Sequence, residues 1–376
     1  MFEGIIHSGL ITKNNVKGGL RIMDNNHHKK LKKRATLIDV ARLSGVSTGT
    51  ISRILNNHPS VSEEARKKVE EAIKKLNYVP LSAARSLAKG VSNTIMLSII
   101  EENPILPSTW RYELPVVQGI YDYLKKTPYN LQIGIGFVEE AQKSKFFENL
   151  IKDKYIDGLL ILGSWPINYR SLLYLEDRNI PYVLIGCKST IPTRVEINFD
   201  NHGAIVQVID YLVQLGHTKF ALIGGFADQL HMVDRANGFR DALIRRSLLV
   251  YENLIKFGDY QIESGYQLML GLFNEHPRPT AIICGNDFMA AGVIKAIHDK
   301  GYKVPEDFSV VGFDDNEVAK VISPPLTTIK VPVFEMGSLA VEKLCTMVES
   351  NRKLEEITIM PCEIIIRSST GKCKEK

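Results

Sequence analysis

No run in this chain approaches the roughly 20 apolar residues of a membrane span, and the N-terminus lacks a compact apolar segment with a small-residue cleavage site. A cytoplasmic protein without a membrane partner is expected. Cysteines number only five, at Cys187, Cys284, Cys345, Cys362 and Cys373. They lie in no metal-ligand spacing, so neither a disulfide framework nor a metal site is indicated. Catalytic signatures are missing too. "GIGFVEE" has two glycines but not the third of a dinucleotide fingerprint, no GKS/T phosphate loop occurs, and no Ser-His-Asp set stands out. The expectation is a protein that is no enzyme and carries no cofactor.

What is present is the balance of a globular protein, 44% hydrophobic and 24% charged over 376 residues, long enough for two or more domains. The net charge of +5 is unevenly placed. Residues 1 to 95 carry 17 Lys and Arg against 7 Asp and Glu, a net +10, and the remainder carries 30 against 35, a net −5. A basic front on an acidic body points to a nucleic-acid-binding head joined to something else, with a solvated basic tail as the bland alternative. Residues 1–34 are polar, lack an apolar period and end in "HHKKLKKR", so a disordered extension is expected there. Within it "VKGGLRIM" is what translation through a purine-rich ribosome-binding site would give, which makes Met23 the expected native start.

From Thr36 the pattern is helical. Leu37, Val40, Ala41 and Leu43 are apolar, and Asp39 stands three residues after Thr36 as in a capping box. "SGVS" then predicts a tight turn, with Ser47 capping a second helix that buries Ile51, Ile54 and Leu55. A third helix starts at Ser62, is acidic in its first turn, and buries Ala65, Val69, Ala72, Ile73 and Leu76. This is a helix-turn-helix head over 35–80. From residue 94 continuous apolar runs alternate with helical patterns: "TIMLSII" (94–100), "DGLLILG" (157–163), "PYVLIG" (181–186), "KFALIGG" (219–225), "TAIICGN" (280–286) and "FSVVGFDD" (308–315). They predict buried parallel strands, hence an α/β architecture with ligand outside the strands' carboxyl ends. About 280 residues of this texture suit two lobes with a cleft between them.

Residues 36–95, "TLIDVARLSGVSTGTISRILNNHPSVSEEARKKVEEAIKKLNYVPLSAARSLAKGVSNTI", resemble the DNA-binding head and hinge of the lactose-repressor (LacI/GalR) family. The likeness continues through "LGHTKFALIGG", "RANGFRDAL", "PTAIICGNDFMAAGVIKAIHDKGYKVPEDFSVVGFDD" and "PPLTTIKVP", so it covers nearly everything from 35 to 371. The resemblance implies a homodimeric transcriptional regulator with a periplasmic-binding-protein-like core over 94–371. Crossings near 216, 325 and 356 would give lobe one as 94–216 and 326–355, and lobe two as 217–324 and 356–371. Residues 81–93 would be hinge helix and linker.

In the family's head the second helix lies in the major groove of operator DNA. Carried over, the base-reading positions are Thr48 and Gly49, with Arg53 one turn on and Asn56 near the end. Arg53 is the fork-shaped donor, able to grip a guanine, with a phosphate or plain surface role as its alternative. Thr36, Ser47, Thr50 and Ser52 are short hydroxyl residues suited to phosphate contacts. "SAARSLAKG" resembles the hinge helix, in which Leu87 matches the minor-groove wedge and Ala84 lies on the same segment. Where the family has a small polar residue this chain has Leu81, so Ser82 is the expected cap.

For the effector, Arg235 matches the family's ligand-binding arginine, Asp287 in "GNDFMAAG" its ligand-binding aspartate, and Tyr260 an aromatic that packs on the ligand. An Asp accepting and an Arg donating suit vicinal hydroxyls. The two tryptophans, Trp110 and Trp165, follow first-lobe strands and are candidates to cover a sugar face, with core packing as the alternative for Trp165. Tyr112 and Glu113 align with paired aromatics in relatives. Glu113 departs from that pattern and favours a hydroxyl-rich ligand over a flat base. Asp200 reads as an N-cap, and the segment 101–115, with three prolines, as a long loop that narrows or extends the cleft for a disaccharide or glycoside. The expected function is repression of carbohydrate genes relieved by a sugar. The alternatives are a purine- or phosphoprotein-responsive regulator, or a sugar-binding protein without regulatory role.

Overall fold

The computed structural model describes residues 35–55, 58–78, 92–101, 110–141, 143–152, 155–189 and 195–374, the side chains of Trp110 and Arg111 excepted. The chain divides into two compact units, Met1–Leu81 and Ser82–Lys376. The expected extension 1–34, Asn56, and the hinge residues Ala84 and Leu87 lie outside the described residues.

Three helices build the first unit: α1 (Leu37–Ser44), α2 (Thr48–Leu55) and α3 (Glu63–Leu76). Thr36 closes the expected capping box, its hydroxyl accepting from the Asp39 amide at 3.3 Å while the Asp39 carboxylate accepts from the Thr36 amide at 2.9 Å. Gly45 ends α1 at φ 70°, a left-handed conformation that glycine adopts without steric cost. Ser47 and Ser62 cap the next two helices. Val40, Ile51, Ile54, Val69, Ala72 and Tyr78 form the core. With Ile51 and Ile54 turned inward, the opposite face of α2 is left to solvent.

The second unit runs β1 (Thr94–Glu101), α4 (Trp110–Leu124), β2 (Asn130–Phe137), α5 (Val138–Ala141), α6 (Phe146–Ile151), β3 (Gly158–Leu162), α7 (Tyr169–Asp177), β4 (Tyr182–Ile185) and β5 (Val195–Phe199). It continues with α8 (Asn201–Gln214), β6 (Phe220–Gly224), α9 (Leu230–Arg245), β7 (Ile255–Phe257), α10 (Ile262–Leu272), β8 (Ala281–Cys284), α11 (Asp287–Asp299) and β9 (Ser309–Val311). It ends with α12 (Glu317–Val321), β10 (Thr328–Lys330), α13 (Val333–Ser350), β11 (Glu356–Met360) and β12 (Glu363–Ile365). All six predicted apolar runs are strands. β3, β4, β6, β8 and β9 are buried along their whole length and β1 along all but its first residue, as parallel strands covered on both faces must be.

One parallel sheet has the order β11-β5-β4-β3-β1-β2 and the other β7-β6-β8-β9. In each, the first strand has the second on one side and the third on the other, so the connections diverge there and open a crevice at the strands' carboxyl ends. The two crevices share one cleft.

The lobe boundaries differ from expectation. β11 lies in the first sheet, with Glu356 beside Val195 and Met360 beside Phe199, so residues 356–360 belong to lobe one and not to lobe two. α8 packs on α9 and is tied to it by His202–Asp241 at 2.9 Å and by Asp210–Arg246. The first crossing is therefore at Asp200 and not near 216. β10 and β12 pair antiparallel as the other two crossings, and the Asp200 amide donates to the Met360 carbonyl at 2.9 Å. The segment 101–115 is not loop throughout, since α4 begins at Trp110 and contains Pro115.

Candidate functional site

The exposed face of α2 is a small polar surface. Ser47, Thr48, Gly49 and Arg53 are exposed, with Thr50 and Ser52 half-buried. The Ser47 hydroxyl accepts from the Thr50 amide at 3.2 Å and lies 3.0 Å from the Thr50 hydroxyl, while the Thr36 hydroxyl donates to Asp39 at 2.7 Å. Three of the four hydroxyls expected at phosphates thus also hold helix ends. Among the described residues the exposed Arg53 guanidinium has no ion-pair or hydrogen-bond partner, and a free guanidinium is a group that can grip a base or a phosphate. A methyl group on Gly49 would meet only Ser47 Oγ, at 4.0 Å.

The second unit holds a cleft of about 110 Å³ at the shared crevice, lined by Tyr112, Glu113, Ser164, Gln229, His231, Arg235, Tyr260, Gln261, Gly285, Asn286, Phe288 and Asp314. Each residue stands beyond the carboxyl end of a strand or in the first two turns of the helix that follows it. Arg235, 4% exposed, donates from Nε to Asn201 Oδ1 at 2.7 Å and from Nη1 to the Gly285 carbonyl at 2.6 Å. Its guanidinium carbon lies 3.5 Å from the centre of the Phe313 ring, so the plane is fixed from a third side. Tyr260 sits at φ 64°. Its hydroxyl donates to Gln229 and its carbonyl accepts from Asn286 Nδ2 at 3.1 Å.

Asp314, at φ 106°, brings a carboxylate into the cleft from a backbone conformation that side chains disfavour. Such strain persists only where the surroundings hold it. The holders are its own amide, donating to the Ile329 carbonyl at 2.8 Å, and the next residue, Asp315, which accepts from Arg367 at 2.6 Å. Burial pushes the Asp314 carboxyl up to about 7, with Arg235 pulling the other way. Burial, and after it the neighbouring Glu101, holds Glu113 well above the usual carboxylate range, which favours its uncharged form. Among the described residues three buried atoms on this wall have no hydrogen-bond partner: Tyr112 Oη, Glu113 Oε2 and His231 Nε2. Buried polar atoms without partners are costly and rare.

Of the residues nominated from sequence, Tyr112, Glu113, Arg235 and Tyr260 line the cleft together. Asp287 does not. It is fully buried, with Oδ1 accepting from Thr328 Oγ1 at 2.5 Å and Oδ2 from the Asn316 amide at 2.8 Å, and Asp314 takes the place expected of it. Trp165 does not line the cleft either. It packs on Phe226 at 5.9 Å, and Phe226 on Tyr260 at 5.8 Å, so it backs the wall. The side chain of Trp110 lies outside the described ones. Ser164, Gln229, His231, Gln261, Gly285, Asn286, Phe288 and Asp314 were missed. Asp314 had a usable signal, standing at the carboxyl end of a predicted strand, and His231 lies one helical turn before Arg235 on the same face.

Residues 36–81 match the family described as bacterial regulatory proteins, lacI family, and residues 209–370 match a periplasmic binding protein-like domain. The HTH-type transcriptional repressor PurR of Aliivibrio fischeri is 33% identical over 341 residues, covering 90% of this chain and 98% of that one. The PurR of Vibrio atlanticus is 31% identical, covering 89% and 98%. The chain belongs to the lacI family. It is a DNA-binding regulator of transcription, and the relatives are regulators rather than enzymes. Among solved structures, the lac repressor dimer bound to operator and the anti-inducer ONPF superposes with a TM-score of 0.78 at 26% identity, covering 90% of this chain and all of that one. The regulator CelR in complex with cellobiose gives 0.67 at 27% identity, covering 89% and 100%. No described helix of this lacI-family regulator is long and apolar enough to cross a membrane.

Proposed function

We propose that this regulator represses genes of carbohydrate use in the cytoplasm, binding operator DNA as a homodimer, and that a sugar or glycoside in the cleft releases it. The observation that carries the reading is the ring of unpartnered hydrogen-bonding groups. Tyr112 Oη, Glu113 Oε2 and His231 Nε2 lack partners, and Arg235 and Asp314 face the same space. A ligand studded with hydroxyls, each able to donate and accept, satisfies such a wall, whereas a flat base has its polar atoms in one plane. The likeness to CelR solved with cellobiose supports the reading. Release follows if the sugar prefers one lobe arrangement and DNA the other, since the two ligands are then coupled through one equilibrium.

A purine is the second reading, favoured by the aromatic rings of Tyr260 and Phe288 on the wall and by the name PurR of the relatives. Calorimetry with D-glucose, D-galactose, D-ribose, cellobiose, hypoxanthine and guanine separates the two. Operator binding in the presence of the tightest binder then reads release. A purine that binds more tightly than every sugar overturns the carbohydrate reading.

A further inference from the structure

The two lobes also meet along a seam where α9 rests on loops of the first sheet. Leu230 is the first residue of α9, and a helix's first amides have no acceptor within the helix. Gln229, which precedes it, makes no side-chain cap bond. The Leu230 amide donates instead to the carbonyl of Ser164 at 2.9 Å, just past the end of β3 in lobe one. One turn further along α9, Asp234 Oδ2 accepts from Lys188 Nζ at 2.8 Å. Lys188 follows β4, so this ion pair also joins lobe two to lobe one. Neither of its side chains lines the cleft, and they are 48% and 33% exposed.

We propose that Lys188 and Asp234 form a salt-sensitive latch between the lobes, which sets how far they are closed before an effector arrives. A contact shifts an equilibrium only by what it contributes to one state and not to the other. This pair meets that condition. With the lobes together the charges touch, and with the lobes apart each is a solvated surface group, screened from the other beyond about 10 Å at ordinary salt. Half-exposed as it is, the pair is worth about a 2- to 5-fold change in the ratio of closed to open protein. That is a modest bias, and effector and DNA both draw on the equilibrium it acts on, so ionic strength becomes an input to the regulator. The latch lies outside the ligand's space and needs no particular ligand chemistry. It therefore stands or falls apart from the carbohydrate reading.

Hydrogen exchange at single amides tests this on the full-length protein with no small molecule added, read by mass spectrometry with electron-transfer fragmentation. The Leu230 amide is the reporter, because its acceptor belongs to the other lobe and it is protected only while Ser164 lies against it. The Val233 amide is the control. It donates to the Gln229 carbonyl at 2.9 Å within lobe two, so it reports fraying of α9 instead. In low salt, Lys188→Gln and Asp234→Asn are each expected to speed exchange at Leu230 by about 2- to 5-fold and to leave Val233 unchanged. Reversing the pair, Lys188→Glu with Asp234→Lys, should restore part of the protection. Salt at about 0.5 M should bring the wild type close to the single variants, which themselves respond little. A Leu230 amide that exchanges freely in the wild type, or equally fast in the wild type and both single variants, overturns the proposal. Equal acceleration at Val233 also overturns it, since the pair would then brace α9 rather than the lobes. A reversed pair no more protected than the single variants does the same, because charge attraction would not be the cause.

Discussion

Asp287 Oδ1 accepts a hydrogen bond of 2.5 Å from Thr328 Oγ1, both side chains being fully buried, and so ties the start of α11 to the crossing strand β10. Its other oxygen holds the Asn316 amide. The carboxylate is a strut between lobe two and a crossing, one residue away from the cleft-lining Asn286 and Phe288. Asp287→Ala leaves a buried hydroxyl and a buried amide without acceptors, at about 1–3 kcal/mol each. The expected result is a clear loss of stability in chemical denaturation, with effector affinity in the surviving folded protein reduced less than by Asp314→Asn. A larger affinity loss from Asp287→Ala than from Asp314→Asn would return the aspartate role to Asp287.

Asp314 makes stability depend on pH with a definite sign. Its folded-state carboxyl is raised to about 7 by burial, above an unfolded value of about 3.9. The native state thus binds more protons than the unfolded state between those limits. The contribution is fully present below about pH 4 and is lost as pH rises through about 7. Asp314→Asn removes the ionisation, so its stability relative to wild type should improve from pH 4 to pH 8. Denaturant midpoints of both proteins across that range check it, and a difference that is flat with pH means Asp314 is solvated rather than held in the wall.

Lobe one depends on two glycines at a helix crossing. A methyl group on Gly119 of α4 would lie 2.0 Å from the Phe334 carbonyl oxygen, and one on Gly337 of α13 would lie 2.2 Å from the Val116 carbonyl oxygen. Both obstacles are backbone, which cannot step aside as a flexible side chain would. Gly337→Ala should cost about 3 kcal/mol, the upper part of the range for overpacking. Gly271→Ala is the contrast. Nothing lies within 4 Å of its added methyl, so that change should be neutral or stabilise by up to about 1 kcal/mol. Thermal unfolding of the two variants side by side separates close approach from helix propensity.

What could be read from the sequence was what local chemistry announces. Thr36, Ser47, Ser62 and Asp200 were legible as caps because a short oxygen-bearing side chain before an apolar period has one common use, and all four cap. The core strands were legible because they are almost wholly apolar in sequence as well as buried. β2 was not, because as an edge strand it is half-exposed and carries Gly134 and Gly136, whose missing side chains admit Met96 and the Phe146 ring. β5, "VEINF", was not because Glu196 and Asn198 break its apolar run although both are buried. In the site, Arg235 and Tyr260 came from resemblance. Asp287 was mistaken for a cleft residue because adjacent residues in a helix's first turn point in different directions, and only the backbone shows that Asn286 and Phe288 face the cleft while Asp287 turns to Thr328.

Gly49 lies on the exposed face of α2, where glycine costs about 1 kcal/mol against alanine. Space is not the reason for it, since its added methyl meets nothing nearer than Ser47 Oγ at 4.0 Å. With Thr48 short and Gly49 bare, Arg53 is the long donor on this face and the residue we propose to read a base. Gly49→Gln should therefore fold at least as well as wild type and change operator preference at one base pair per half-site, leaving effector affinity unchanged. Arg53→Ala should weaken binding and relax preference at a different position, by about 1–3 kcal/mol. Binding-site selection with the three proteins distinguishes these outcomes at fixed salt, which matters because phosphate contacts dominate affinity and are salt-dependent. If Gly49→Gln selects the same sites as wild type, the α2 surface at that position does not face the groove, and the glycine is a tolerated gap.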